Sequence, residues 1–454
     1  MVVKIQALII IMLFSFIVSA QEQDRETSRN FPLNSPNPSY SSYTIANWVS
    51  LPNTPNAVSR SCCVLVRING VDYLYQFGGG NTSSELRRVA RLNLSNNTWT
   101  NNVTTMAFQI SSGTAIAMNG DSLIYVFGGN NPTLGKTLRY NVYTNSWTTM
   151  ADMPTKVTDA LVVKYNSSLI YVIGGGDGYF GTTAFTTNKV QVYDIYTNNY
   201  YVVNNYPINC AMNGGGIYND TIISIGGYTN GGNATSNCYK GIINPSMLNV
   251  TWTAIPSYPA GSIARLASYV AEKDQGVGIF CTGGAINGST PTAQSFFWNF
   301  CTQSWQNSVP NNSLARYNFK ATGKGNVIYV VAGYTNTNVG ICEKITFNYI
   351  DGPCTNFTGI NNNTNSPVDF YLGQNYPNPF NPVTKILFGL PKSVRVKITV
   401  SDISGKELEI LTDKEYSAGT HEIQFNGSNY SSGIYLYQIK TNNYNAVKKM
   451  VLVK

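Results

Sequence analysis

Residues 123–129 read Leu-Ile-Tyr-Val-Phe-Gly-Gly, an apolar, partly β-branched run that stops on two glycines. Val, Ile, Tyr and Phe suit a pleated, buried surface, so the run predicts a strand. The glycine pair marks a place where the backbone must turn or where a neighbouring segment comes too close for a side chain. The segment recurs as YLYQFGG at 73–79, LIYVIGG at 169–175, TIISIGG at 221–227 and GIFCTGG at 278–284, with IYVVAGY at 328–334 continuing the series. Gly78, Gly128, Gly174, Gly226, Gly283 and Ala332 hold the first position of each pair, at intervals of 50, 46, 52, 57 and 49. A period near fifty residues is the mark of a repeat architecture.

Each of the first five pairs is followed by a polar turn and then an aromatic residue: Trp99, Trp147, Tyr200 or Tyr201, Trp252 and Trp305. The turns are rich in Asn and Thr, as in YNVYTNSW at 140–147 and YDIYTNNY at 193–200. Each unit therefore reads as four short strands. One such sheet cannot bury both of its faces, so several must stack around an axis with the aromatics filling the gaps. The sixth unit has no tryptophan after Ala332. YTIANWVSLP at 43–52 has the form of an outer strand with Trp48 in the aromatic position, and we expect it to complete the sixth sheet and join both ends of the ring. The six units resemble the kelch repeat, which implies a six-bladed β-propeller over residues 40–355.

Composition changes beyond a polar linker at 356–367. Residues 367–454 carry 17 charged side chains in 88 positions, against 34 in the 346 positions of 21–366, so charge density doubles at the boundary. Six or seven short strands follow, with Gly405, Gly419 and Gly433 at turns, which predicts a small Ig-like antiparallel β-sandwich. This module opens on Asn375-Tyr376-Pro377-Asn378-Pro379-Phe380-Asn381-Pro382 and closes on Lys449-Met450-Val451-Leu452. With these motifs, residues 368–454 resemble the C-terminal sorting domain of type IX secretion cargo. The resemblance implies a Gram-negative bacterium, handling by the type IX translocon, and delivery to the outer surface or the medium by way of the periplasm.

The start of the chain agrees with export. Lys4 precedes an apolar stretch from Ala7 to Val18, and Val18-Ser19-Ala20 is a small-residue cleavage site. Residues 1–20 therefore read as a signal peptide and 21–39 as a polar tail. The apolar stretch is too short for a transmembrane anchor. Eight cysteines in an exported chain permit disulfides, and Cys210–Cys238, Cys281–Cys301 and Cys342–Cys354 are the plausible local pairs.

The single histidine, His421, falls in the C-terminal module. A propeller without histidine cannot hold a multi-His metal centre, so we expect no metal and no cofactor, and the copper-oxidase variety of kelch propeller is excluded. Net charge is +8, but Lys and Arg are not clustered as in nucleic-acid binders, and none is expected as a partner. Arg60, Lys156 and Arg265 each stand 18 residues before a glycine pair, and Arg316 stands 16 before Ala332. All four are therefore expected near the start of an innermost strand, as a partial basic ring for an anionic ligand. Asp72, Asp121, Asp220 and Asp274 read as hairpin residues and Asp194 as a turn residue, which leaves Glu85, Asp152, Asp159, Asp177 and Glu343 as acids free for the loop face or the strands. No local motif fixes a catalytic residue. The expected function is a secreted or cell-surface interaction protein that recognises an extracellular protein or glycan. The alternative is a metal-independent, epimerase-like carbohydrate-active enzyme, and its discriminating mark would be a carboxylate converging on the basic ring.

Overall fold

The computed structural model describes residues 47–80, 86–118, 121–129, 134–177, 185–273, 276–306, 309–347, 370–373, 375, 378–442 and 444–454. The expected signal peptide, the 21–39 tail, the linker, Glu85, Asp274, Cys354, Tyr376 and Pro377 lie outside these residues. The described chain is all-β apart from one 3-10 turn, Gly427–Asn429.

Between Trp48 and Phe347 the described strands form one small three-stranded sheet, Ile263–Ala264, Ala285–Ile286 and Thr290–Pro291, and six four-stranded antiparallel sheets. Their innermost strands are Cys62–Ile68, Thr114–Met118, Leu161–Lys164, Gly214–Tyr218, Ala267–Lys273 and Lys320–Lys324, and these touch one another in a closed circuit. We number the sheets as blades one to six in that order. The sixth takes its outer strand from the beginning of the chain: Val49–Leu51 runs antiparallel to Cys342–Thr346, with Val49 opposite Lys344.

Burial falls from the axis outward. Gly276–Thr282, the second strand of blade five, is buried throughout, whereas Thr98–Thr105, the outer strand of blade one, is mostly exposed. The core lies between sheets rather than within one. Val66, Tyr75 and Phe77 of blade one pack on Ile124, Val126 and Tyr140 of blade two, and the other blades repeat this pattern. That is why the second strands are apolar on both faces.

The glycine pairs serve the same joint. Gly79 donates its N–H to the Ile110 carbonyl at 2.8 Å, and Gly175 to Cys210 at 2.8 Å, each a carbonyl that leads into the next blade. At Gly78 and Gly174, which are left-handed, a Cβ would run into that same carbonyl. Ala332 adopts the left-handed conformation (φ 63°) with its methyl in place. The outer aromatics lock the next joint. Trp99 donates to Pro52 at 2.8 Å, Trp305 to Pro256 at 2.9 Å and Trp48 to Pro310 at 3.1 Å, in each case the carbonyl that follows the outer strand of the preceding blade or of its loop.

The expected disulfide pairs do not form. Cys62, Cys63, Cys210, Cys238, Cys281 and Cys342 are free and buried. Cys301 is disulfide-bonded, but to none of those six. Nearness in sequence misled because these thiols face blade interiors, where the Cys210 Sγ sits 3.2 Å from the Gly226 carbonyl. Burial pushes the thiols of Cys62, Cys210, Cys238 and Cys342 up to about 12, which keeps them protonated and unreactive.

The C-terminal module has two sheets. Tyr371–Leu372, Val383–Leu390 and Gly419–Asn426 form one. The other runs Glu407–Tyr416, Val394–Asp402, Gly433–Lys440, Asn445–Leu452 in spatial order. Phe388, Val396, Ile398, Phe425, Tyr437 and Met450 fill the space between them.

Candidate functional site

One residue per blade, just before the innermost strand, has a left-handed backbone: Arg60, Ser112, Asp159, Met212, Arg265 and Asn318, with φ between 55° and 64°. None is glycine, and a left-handed L-residue costs on the order of 1–2 kcal/mol. A circle of hydrogen bonds holds them there. Ser112 donates its N–H to Arg60 at 2.8 Å, Asp159 to Ser112 at 3.0 Å, Met212 to Asp159 at 2.8 Å and Arg265 to Met212 at 2.9 Å. Asn318 then donates to Arg265 at 3.3 Å, and Arg60 to Asn318 at 2.8 Å, which closes the circle. The six side chains are thereby brought around the axis at equivalent positions.

Arg60 and Arg265 are members of this ring, but Lys156 and Arg316 are not. Lys156 stands three residues before the equivalent Asp159 and is exposed. Arg316 stands two residues before Asn318 and is fully buried, with its Nη2 2.8 Å from the carboxylate of Glu343 and its Nη1 donating to the Ile341 carbonyl at 3.2 Å. Arg316 and Glu343 are thus partners inside blade six, and neither reaches the loop face. The count back from the glycine pair failed because loops and hairpins differ in length between blades.

The basic ring is therefore a mixed one. Arg265 lies between the rings of Tyr228 and Tyr317, 5.1 Å from each centroid. Asp159 faces blade six across the axis. Burial pushes its carboxyl up to about 6, while Lys320, a hydrogen bond from Ser112, Arg265 and Arg60 pull it the other way. Lys320, the third residue of that set on the axis, carried no signal in the sequence beyond its place two residues after Asn318. Among the remaining acids, Asp152 pairs with Lys136 at 2.6 Å on the surface.

Below the ring the innermost strands enclose a cavity of about 430 Å³. Its lining residues are mostly small or apolar, yet more of its surface is polar than apolar, with Asn213 and Lys320 near the ring and Lys164 and Glu272 toward the hairpin end. Partial burial raises the Glu272 carboxyl. The arrangement can take a small polar molecule at the ring end, whereas macromolecules have access only to the outer faces.

In the C-terminal module the opening motif is turned inward. Asn375 is buried; its N–H donates to the Tyr437 hydroxyl at 2.7 Å and its Nδ2 to Thr384 at 3.0 Å. Asn378 accepts the Val451 N–H at 2.7 Å, and Phe380 pairs parallel with Leu452. Pro382 accepts from Gly427 at 2.7 Å. Pro379, Asn381 and Lys449 are exposed, and Met450 is buried. Gly405 and Gly419 take positive φ, but Gly433 begins a strand without one. The motif thus fastens the last strand, Asn445–Leu452, to the start of the module. His421 lies beside Phe388 and Tyr416 with its Nε2 2.8 Å from the Ser417 carbonyl, a role in the sheet.

A closed circuit of four-stranded sheets around a lined channel defines the class: a β-propeller, here in a chain that also carries a small β-sandwich. Residues 118–154 match the kelch motif, and residues 374–454 match the secretion system C-terminal sorting domain. The chain carries a kelch motif within the propeller and a secretion system sorting domain at its C-terminal end, which implies export by type IX secretion to the cell surface or the extracellular space. It is similar to the kelch-like protein terF of Aspergillus terreus, 26% identical over 231 residues that cover 48% of this chain and 49% of that one. The chain thus spans about half the length of that curated relative. The solved structure titled "Structure of YjhT" superposes with a TM-score of 0.53 at 17% identity, over 64% of this chain and 95% of that chain, a likeness of fold. Among the described residues no helix is long and apolar enough to cross a membrane. A kelch propeller on an exported chain supports a binding or interaction role.

Proposed function

We propose that the exported propeller recognises an extracellular protein or glycan through an outer face. The observation that carries this is a set of exposed large side chains in one kind of turn. Tyr143 and Tyr196 occupy the same position in the turn between third and fourth strands of blades two and three, and Met247 lies in the corresponding turn of blade four. They are 58%, 39% and 63% exposed. Aromatic and Met side chains left in water on neighbouring blades suit a partner's apolar surface or the face of a sugar ring. The anion-attracting reading now rests on Arg60, Arg265 and the exposed Lys156, because Glu343 neutralises Arg316. Residues 368–454 act as the address label for the type IX translocon.

Two experiments test this. The full chain is screened against glycan and surface-protein panels, alongside a Tyr143→Ala/Tyr196→Ala variant. Binding is expected to fall at least tenfold in the variant, and equal binding sinks the face assignment. Deletion of 368–454 is expected to leave the protein in the periplasm, and surface delivery of that truncation contradicts the label. A second reading, carbohydrate chemistry in the channel, has Asp159 in its favour: a carboxyl near neutral pKa, close to Arg60 and Arg265, is suited to proton transfer. Turnover of an acidic sugar that is lost in Asp159→Asn would support it.

A further inference from the structure

The channel holds one pair of opposite charges that the fold leaves apart. Asp159 belongs to blade three and Lys320 to blade six, which stand opposite each other in a circuit of six. Among the charged groups around Asp159, Lys320 exerts the largest influence. Yet neither side chain forms an ion pair with any described residue. Two unlike charges on opposite blades at the ring end, without an ion pair between them, leave room for something to bridge them.

The acid side is also short of donors. Asp159 Oδ2 and Asn213 Oδ1 are buried with no hydrogen-bond partner among the described residues, and the Ser112 hydroxyl, which donates to Asp159, keeps its lone pairs. Ser112 and Asn213 are 2% and 6% exposed. These groups sit on three consecutive blades, linked through the backbone bonds from Asp159 to Ser112 and from Met212 to Asp159. The Nδ2 of Asn213 is committed to Ser224 at 2.7 Å, which leaves its Oδ1 for another partner, and Asn213 lines the cavity. Buried acceptors are normally satisfied, so these groups on consecutive blades call for a donor-rich partner. An ammonium has three N–H donors and no acceptor, and its charge matches an ionised carboxylate. The opposite wall offers the Lys320 ammonium, with Arg60 on the adjoining blade, and matches a carboxylate.

We propose that the ring end of the channel binds a small zwitterion, its ammonium on Asp159, Ser112 and Asn213 and its carboxylate on Lys320, which is the chemistry of a free α-amino acid. This site is separate from the outer face bearing Tyr143 and Tyr196 and does not depend on which macromolecule that face takes. A simple acid leaves Asp159 unmatched, and a simple amine leaves Lys320 unmatched.

The test is calorimetric titration of the full chain near neutral pH with L-alanine and three probes: propionate, ethylamine and D-glucuronate. Alanine is expected to bind at least tenfold more tightly than each probe, because each lacks one pole of the charge. Asp159→Asn and Lys320→Met are each expected to weaken alanine binding at least tenfold, and Lys320→Arg to retain most of it. Melting curves of the variants separate lost binding from lost fold, and Ser112→Ala, the mildest change, is expected to weaken binding threefold or more. The proposal is overturned if propionate or glucuronate binds as well as alanine, or if alanine fails to bind at about 10 mM. Glucuronate binding alone would favour the carbohydrate reading of the channel, and loss of surface binding in the tyrosine variant would leave this result untouched.

Discussion

Arg316 and Glu343 meet at 2.8 Å, buried in blade six, whereas Asp159 and Lys320 share the same propeller and form no ion pair. In the first case the sequence supplies both charges to one blade, and the pair is consumed in holding the loop before the innermost strand against the third strand. In the second, the charges come from opposite blades, and the closed circuit keeps their backbones apart. A structural charge in this fold is thus distinct from an available one. Proximity to the axis is not enough; what matters is whether the partner belongs to the same blade.

The comparison can be broken by removing one partner at a time. Glu343→Gln leaves the Arg316 guanidinium buried without its counter-charge, and we expect a loss of about 3–5 kcal/mol in denaturant unfolding of the propeller. A double change, Arg316→Met with Glu343→Leu, should recover most of that loss. Near-wild-type stability in the single variant would show that the pair is not the structural one.

Asp159→Asn should act in the opposite direction. The folded state raises the Asp159 carboxyl from 3.8 to about 6, so the folded protein holds this proton more tightly than the unfolded chain does. The stabilising contribution is therefore complete below about pH 4 and is lost as pH rises through 6. At 1.36 kcal/mol per pKa unit, the ionised carboxyl costs the fold about 2–3 kcal/mol at neutral pH. The Asn variant should melt later than wild type near neutrality and at the same temperature near pH 4. A variant less stable than wild type at neutral pH would contradict this. A gain in stability together with a loss of ligand is the expected signature of a site kept at the fold's expense.

Smaller effects sharpen the contrast between closed and open sites. Asn378→Ala leaves the Val451 N–H unpaired at the end of the last strand and should cost the sandwich about 1–3 kcal/mol, read as faster amide exchange in 445–452. Trp48→Phe keeps the contact with Phe280 but removes the bond to Pro310, for about 1 kcal/mol at the propeller's melting transition. No change in either measurement would remove the corresponding contact from the account.

The fold was legible because a repeat states its rule several times. The strand ending in Gly-Gly, the outer aromatic and the displaced Trp48 are local patterns, and each maps onto a joint between blades. The site was legible only in part. Arg60 and Arg265 were found by counting back from a glycine pair, but the same count gave Lys156 where Asp159 stands and Arg316 where Asn318 stands. The ring depends on a left-handed backbone that three residue types other than Asn and Asp adopt here, so composition hides it. Lys320 and Asn213 acquire meaning only when opposite blades face each other. Cysteine pairing failed for a related reason, since Cys210 and Cys238 were directed into different interiors. The motif of the C-terminal module was visible at once, but its inward role required the register of the last strand.

The hydrogen-bond circle has a consequence in time as well as in space. Five of its six links join residues about fifty positions apart and can form as the chain emerges. The sixth, from Arg60 to Asn318, joins the first blade to the last, as does the strand pairing of Val49 with Lys344. Loop closure over such a span is slow compared with local pairing. A chain that emerges from its N-terminus must therefore wait with its first blade unclosed until blade six arrives, and residues 374–454 follow behind it. By the time the export label is exposed, every segment needed to seal the ring has already passed.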